Sequence, residues 1–163
     1  MLKSSIDDFK IKCGYDYINK SQKNNKYIIL LGVALGMKYL HWQGIIHRDL
    51  KPANILLNNQ MEPKICDFGE SKVSDKKFTD ILMNTIKGTP IYMVPEILEG
   101  ESSYNYKVDI YAFSFFAYEL ITGKSTFEEK HFKSKFQLSK AVTSGERPNL
   151  SSIKNNYAKE FLS

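Results

Sequence analysis

The sequence predicts a mainly α-helical domain with one small β-hairpin, and three observations predict it. Apolar residues recur at three- and four-residue steps over 27–42, the period of a helix. They recur again from Ile110 to Ile121. Between these runs lie two short apolar stretches, Ile55-Leu56-Leu57 and Lys64-Ile65-Cys66, separated by the turn residues Asn58, Asn59 and Gln60. A length of 163 residues fits one domain or a piece of a larger one.

Each element follows in order. Residues 1–26 are mixed and polar, with a short helix near Tyr15 and Ile18 and a break at Asn24-Asn25. In the first long helix Ile28, Leu31, Leu35, Tyr39 and Trp42 form one apolar stripe, and Leu30, Val33 and Met37 add a second. Two apolar faces predict a mostly buried helix, and Gly44 stops it. The hairpin follows, with Pro63 just before its second strand. Residues 70–90 are polar and aperiodic, the pattern of a functional or mobile loop. Asp109 has the character of a helix N-cap. The helix it opens carries Ile110, Phe113, Phe116, Ala117, Leu120 and Ile121 and ends at Gly123. A weaker helical patch covers 128–143, and residues 150–163 read as a helix cut short.

Composition narrows the function classes. Hydrophobic residues make up 42% and charged residues 25%, which excludes collagen-like and disordered chains. Two cysteines, Cys13 and Cys66, exclude a disulfide scaffold and a four-cysteine zinc site. The net charge of +5 comes from lysines scattered through the chain, with only a loose cluster at Lys10, Lys12, Lys20, Lys23 and Lys26. A solvated surface, with no nucleic-acid role, is the expectation. No signal peptide opens the chain. The apolar run Tyr27 to Met37 falls short of the roughly 18 residues a membrane span needs, so a cytoplasmic protein without membrane insertion is expected.

Three motifs carry chemistry. His47-Arg48-Asp49-Leu50-Lys51-Pro52-Ala53-Asn54 comes first, then Asp67-Phe68-Gly69, then Gly88-Thr89-Pro90-Ile91-Tyr92-Met93-Val94-Pro95-Glu96. In this order and at these intervals they resemble the catalytic loop (47–54) and activation segment (67–96) of eukaryotic-type protein kinases. The resemblance covers residues 14–163 and implies the large, carboxy-terminal lobe, with residues 1–13 unassigned. It also implies ATP and Mg2+ as cofactors and a protein substrate.

The residues make chemical sense in those roles. Asn54 and Asp67 flank the hairpin, so its closure brings two oxygen ligands together. Magnesium takes only one or two protein oxygens beside phosphates and waters. Asp49 can orient an incoming hydroxyl and accept its proton. Lys51 can place positive charge on the transferring phosphoryl oxygens. The resemblance puts Leu56 on the floor of the adenine pocket and packs His47 under Phe68 rather than making it a base. Cys66, beside Asp67, reads on its own chemistry as a small buried hydrophobe.

Finer features point to a subgroup. Lys51-Pro52-Ala53-Asn54 and Thr89 have the serine/threonine-kinase form. Gly145-Glu146-Arg147-Pro148 resembles a signature of the tyrosine-kinase-like group. Arg48 before Asp49 implies regulation by phosphorylation of the loop that holds Ser71, Ser74, Thr79 and Thr85, with Thr85 the first choice. Thr89 is expected to turn its hydroxyl to the catalytic loop.

Departures from the family are also legible. Val94 replaces an alanine, and Ser114 a glycine. No Gly-x-Gly-x-x-Gly loop occurs, because Gly32 and Gly36 have the wrong spacing and lie in a helix. No lysine stands far enough before Asp49 to pair with phosphates. The amino-terminal lobe is therefore expected to be missing, with a partner possible on the face it leaves. Two readings stay open: a serine/threonine kinase present as a partial domain, and a catalytically inactive kinase remnant acting as a binding module.

Overall fold

A computed structural model describes residues 23–58, 60–73, 81–82, 89–100, 103–128, 130 and 132–162. The short helix expected near Tyr15, and the hydroxyl residues Ser74, Thr79 and Thr85, lie outside these residues.

Helix α1 (Lys23–Trp42) begins earlier than the 27–42 expectation. Gly44, at φ 75°, follows it and donates its N–H to the His41 carbonyl at 3.0 Å. Strand β1 (Ile45–Ile46) leads into the 47–54 loop, which closes on a 3-10 turn at Pro52–Asn54. The hairpin β2 (Ile55–Leu57) and β3 (Pro63–Ile65) is antiparallel, with Ile55 opposite Ile65. Its second strand starts on Pro63 itself, one residue earlier than expected. Proline is tolerated at the first position of a strand, where its missing N–H costs no ladder bond.

The polar 70–90 stretch holds two strands that the sequence did not suggest. β4 (Lys72–Val73) pairs antiparallel with β1, and β5 (Ile81–Leu82) pairs with β6 (Ser103–Tyr104). Two-residue strands are too short to leave a period-two pattern. Helix α2 (Pro95–Leu98) lies between β5 and β6. Helix α3 (Lys107–Thr122) then crosses the centre of the molecule and ends on Gly123 at φ 72°. Helix α4 (Lys135–Thr143) is shorter than the 128–143 patch and starts where Ser134 Oγ accepts from the Gln137 N–H. A 3-10 turn at Leu150–Ser152 precedes α5 (Asn156–Leu162).

The main core joins α1, the hairpin and α3. Ile29, Val33 and Met37 pack with Leu50, Ile55, Leu57, Phe115 and Phe116. This corrects the expected burial of α1. Ile28, Leu31, Leu35, Tyr39 and Trp42 are 56–64% exposed, while Ile29, Val33 and Met37 are at most 4% exposed. Periodicity alone could not choose between two apolar faces. The choice falls on the face that meets the hairpin and α3.

The hairpin contact explains why α1 carries glycines in its interior, where each costs up to about 1 kcal/mol against alanine. A Cβ on Gly32 would stand 2.4 Å from Pro63 Cγ, and one on Gly36 would stand 2.9 Å from Ile65 Cδ1. Both glycines therefore seat β3 on the helix. Gly32→Ala is expected to destabilise the fold by about 1–3 kcal/mol through overpacking, despite its better helix propensity. Urea unfolding followed by circular dichroism measures this, and a gain in stability would contradict the contact.

Candidate active site

The 47–54 loop is held from below by a buried carboxylate. Asp109, 1% exposed in α3, accepts the His47 N–H at 2.9 Å and the Arg48 N–H at 2.8 Å. His41 Nε2 lies 2.9 Å from Oδ2, the oxygen that also accepts the His47 N–H, while Oδ1 takes the Arg48 N–H. The N-cap expectation for Asp109 is thus corrected: it lies inside α3, whose N-cap residue is Tyr106. A carboxyl group buried this deeply is stable only when its oxygens are hydrogen-bonded. Here that requirement fixes the path of the loop.

The loop bends sharply at Arg48, whose φ is 71°. Its side chain is buried, and Nη2 lies 3.9 Å from Glu70 Oε2. His47 is wholly buried. Its Nε2 lies 3.0 Å from the Cys66 carbonyl, and the Asp49 N–H points to its Nδ1 at 3.4 Å. The carbonyl requires an N–H on Nε2, so both ring nitrogens serve the backbone. The His47 ring meets Phe68 edge-on at 5.2 Å between centroids. Such geometry suits a structural spacer rather than a base.

Asp49 is the focus of the site. Its Oδ2 accepts from Lys51 Nζ at 2.6 Å and from Asn54 Nδ2 at 3.1 Å. Its Oδ1 accepts from the Thr89 N–H at 3.0 Å and the Thr89 hydroxyl at 2.9 Å. Lys51 Nζ also reaches Thr89 Oγ1 at 2.9 Å. Burial alone raises the pKa of the Asp49 carboxyl. The bonds from Lys51 and Thr89, the Lys51 charge and the Asn54 bond outweigh that effect and hold it below the usual carboxylate range.

Asn54 is buried, and its Nδ2 also donates to the Asp49 carbonyl at 2.7 Å. With the nitrogen committed to Asp49, the amide oxygen is the atom left for a cation. The Cys66 N–H bonds the Asn54 carbonyl at 2.9 Å, which closes the hairpin mouth. Asp67 follows directly, exposed and at φ 62°. One neutral and one anionic oxygen ligand at this mouth suit Mg2+, which shares its shell with phosphates and water. No group of three or more His, Cys, Asp or Glu able to hold a metal occurs among the described residues, so a closed all-protein cage of those residues is absent there. Leu56 lies half-buried in β2, and Cys66, half-buried rather than buried as expected, donates its thiol to the Asn54 carbonyl at 3.2 Å.

The structure thus gathers Asp49, Lys51, Asn54 and Thr89 into one bonded cluster, with Asp67 at its edge and Arg48 beside it. Thr85 falls outside the described residues. Sequence reasoning missed Asp109 as the anchor of the loop, and it missed Glu119. Glu119, also 1% exposed, accepts from Tyr92 Oη at 3.1 Å and from the Thr126 N–H at 2.7 Å. That fixes the 3-10 turn Pro90–Tyr92 beside Thr89. The available signal was two acids within an otherwise apolar helix, since buried acids are almost always paired.

The protein kinase domain family matches residues 15–163, so this chain belongs to the protein kinase family. It is 40% identical over 136 residues to the RGS domain-containing serine/threonine-protein kinase A of Dictyostelium discoideum, covering 80% of this chain and 11% of that protein. It is 40% identical over 111 residues to the probable serine/threonine-protein kinase CCRP1 of Zea mays, covering 68% and 17%. A probable serine/threonine-protein kinase of Dictyostelium discoideum is 48% identical over 96 residues, covering 59% and 10%. The matched stretch therefore spans less than a fifth of each of these relatives.

Two outcomes are expected. Asp109→Ala leaves the His47 and Arg48 amides and the His41 ring without their shared acceptor. At about 1–3 kcal/mol for each unsatisfied group, the loop should loosen. Hydrogen exchange at those two amides should accelerate by orders of magnitude, and unchanged protection would contradict the anchor. Separately, Thr89→Val removes one hydroxyl donor from Asp49. The carboxyl pKa should move up toward the ordinary Asp range, as read by carbon NMR titration. Because the folded pKa is depressed, Asp49 contributes stability above the unfolded value and loses it as pH falls through the folded one. The variant should lose less stability on acidification.

Proposed function

We propose that this chain is the acceptor- and metal-positioning part of a serine/threonine protein kinase of the tyrosine-kinase-like group. The observation that carries the reading is the Asp49 carboxylate, kept ionised and aimed by Lys51, Thr89 and Asn54. An ionised carboxylate at this position orients a protein hydroxyl and accepts its proton as the phosphoryl group leaves ATP. Lys51, already at the cluster, supplies positive charge to the phosphoryl oxygens. Asn54 and Asp67 would hold Mg2+, which when bound neutralises charge on the phosphates. Leu56 offers an apolar surface for adenine.

Serine and threonine as acceptors rest on Lys51 bridging Asp49 and Thr89, a pairing that matches the Lys51-Pro52-Ala53-Asn54 form. Control by phosphorylation rests on buried Arg48, with Thr85 the first candidate and Ser71, Ser74 and Thr79 behind it. A phosphate on that segment would add oxygens able to accept charge-assisted bonds from the guanidinium. The 163 residues contain no Gly-x-Gly-x-x-Gly loop to cover phosphates. This stretch by itself accordingly leaves ATP uncovered, and its substrate is a protein presented to the joined lobes.

Joined to an amino-terminal kinase lobe, the protein should phosphorylate serine and threonine. Asp49→Asn should lower turnover about 100- to 10,000-fold, the usual worth of a positioned acid–base group. Asp67→Asn should abolish it. Phosphoamino-acid analysis and rate measurement check this, and mainly phosphotyrosine, or full activity in either variant, would overturn the assignment.

A further inference from the structure

Arg48 and Glu70 meet because of a strand register. Strands β1 and β4 pair Ile45 with Val73 and Ile46 with Lys72. The same register carried on by two residues puts Arg48 opposite Glu70. Glu70 stands on the turn from Phe68 to Ser71, where the Phe68 carbonyl accepts the Ser71 N–H at 3.0 Å and the Ser71 hydroxyl at 2.7 Å. Opposite charges that face each other across neighbouring strands attract. The turn therefore aims a carboxylate at the guanidinium.

The two partners are not equally fixed. The Arg48 side chain is 7% exposed, and its backbone N–H is tied to Asp109. The Glu70 side chain is 35% exposed. A buried guanidinium needs an anion beside it, and Glu70 supplies one. The contact is long, however, at 3.9 Å. That is about 1 Å beyond a charge-assisted hydrogen bond. It answers the charge without the directed bonds that a guanidinium can donate. A phosphate monoester brings a charge of about −1.5 to −2 and three strong acceptor oxygens. Glu70 brings one charge and two oxygens. A fixed cation thus faces a weaker anion that can turn out to water.

We propose that Glu70 is an internal competitor at Arg48: its carboxylate holds the guanidinium until a phosphate monoester displaces it. The proposal rests on the reading that phosphorylation controls this chain through Arg48. It adds that the chain's own acid occupies the position beforehand, so phosphate and Glu70 exclude each other there. Glu70 keeps Arg48 in place without phosphate and raises the threshold for phosphate to act.

The test uses the full 163-residue chain, with phosphothreonine or phosphoserine encoded in turn at Thr85, Thr79, Ser74 and Ser71. NMR reads two quantities, exchange of the Arg48 Nε proton and the second pKa of the phosphate. Without phosphate, Glu70→Gln should speed that exchange by about fivefold, the upper worth of a half-exposed ion pair. With a phosphate that reaches Arg48, the same substitution should leave exchange slow. The phosphate pKa, ordinarily about 6, should fall below its parent value in Glu70→Gln, because the dianion then meets the guanidinium without a rival. Equal exchange in the parent and Glu70→Gln chains without phosphate would overturn the proposal and leave phosphorylation control standing. So would an unchanged phosphate pKa, or an equal loss of protection with and without phosphate, since Glu70 would then be a permanent counter-ion. A phosphate that alters Arg48 from none of the four positions, even in Glu70→Gln, would overturn the phosphorylation reading itself.

Discussion

One buried carboxylate organises the site. Asp109 sits in the first turn of the core helix, and its bonds run to backbone amides more than 60 residues earlier in the chain. A polar group that deep must have its oxygens hydrogen-bonded or cost about 1–3 kcal/mol for each left unsatisfied. His47, Arg48 and His41 satisfy them, so forming the core and forming the loop become one event. Everything that aims Asp49 is built outward from that joint. The loop leaves Asp109 at Arg48, turns, and presents Asp49 to Thr89 from a separate segment.

Sequence reading anticipated the grouping of the candidate residues where they lie close along the chain. Asp49, Lys51 and Asn54 lie within six positions, and a hairpin returns Asp67 to them, so short-range reasoning suffices. It failed where the determining partner is remote. Asp109 has the profile of a capping residue at the edge of an apolar run, and only the fold reveals which amides it meets. Helix α1 failed for a different reason. With apolar residues on both faces, its period announces a helix but does not orient it. The glycines at 32 and 36 held the missing information, since a glycine inside a long helix marks the side where backbone or proline approaches closely.

The electrostatic design has a logic of its own. Lys51 is shared between Asp49 and Thr89, and its charge is largely answered within the site. The cluster is thus nearly neutral as it stands, and each of its members is held by bonds within the chain. Groups held in place beforehand lose little freedom when charge develops beside them. The same economy appears at Glu119, where one buried carboxylate fixes both the Pro90–Tyr92 turn and the loop after α3.

Arg48 and Asp67 both occupy the left-handed region of backbone space, at φ 71° and 62°, without being glycine. Each residue carries a cost of roughly 1 kcal/mol or more for that conformation. Of the four such residues described, with Met61 and Phe127, these two are also candidate site residues that carry charge. Evolutionary drift therefore meets a slope at these sites: a glycine would relax the backbone and discard the guanidinium or the carboxylate in the same step. Lineages released from selection for activity can move down that slope and keep the fold. A sturdier, silent descendant lies one codon change from this sequence.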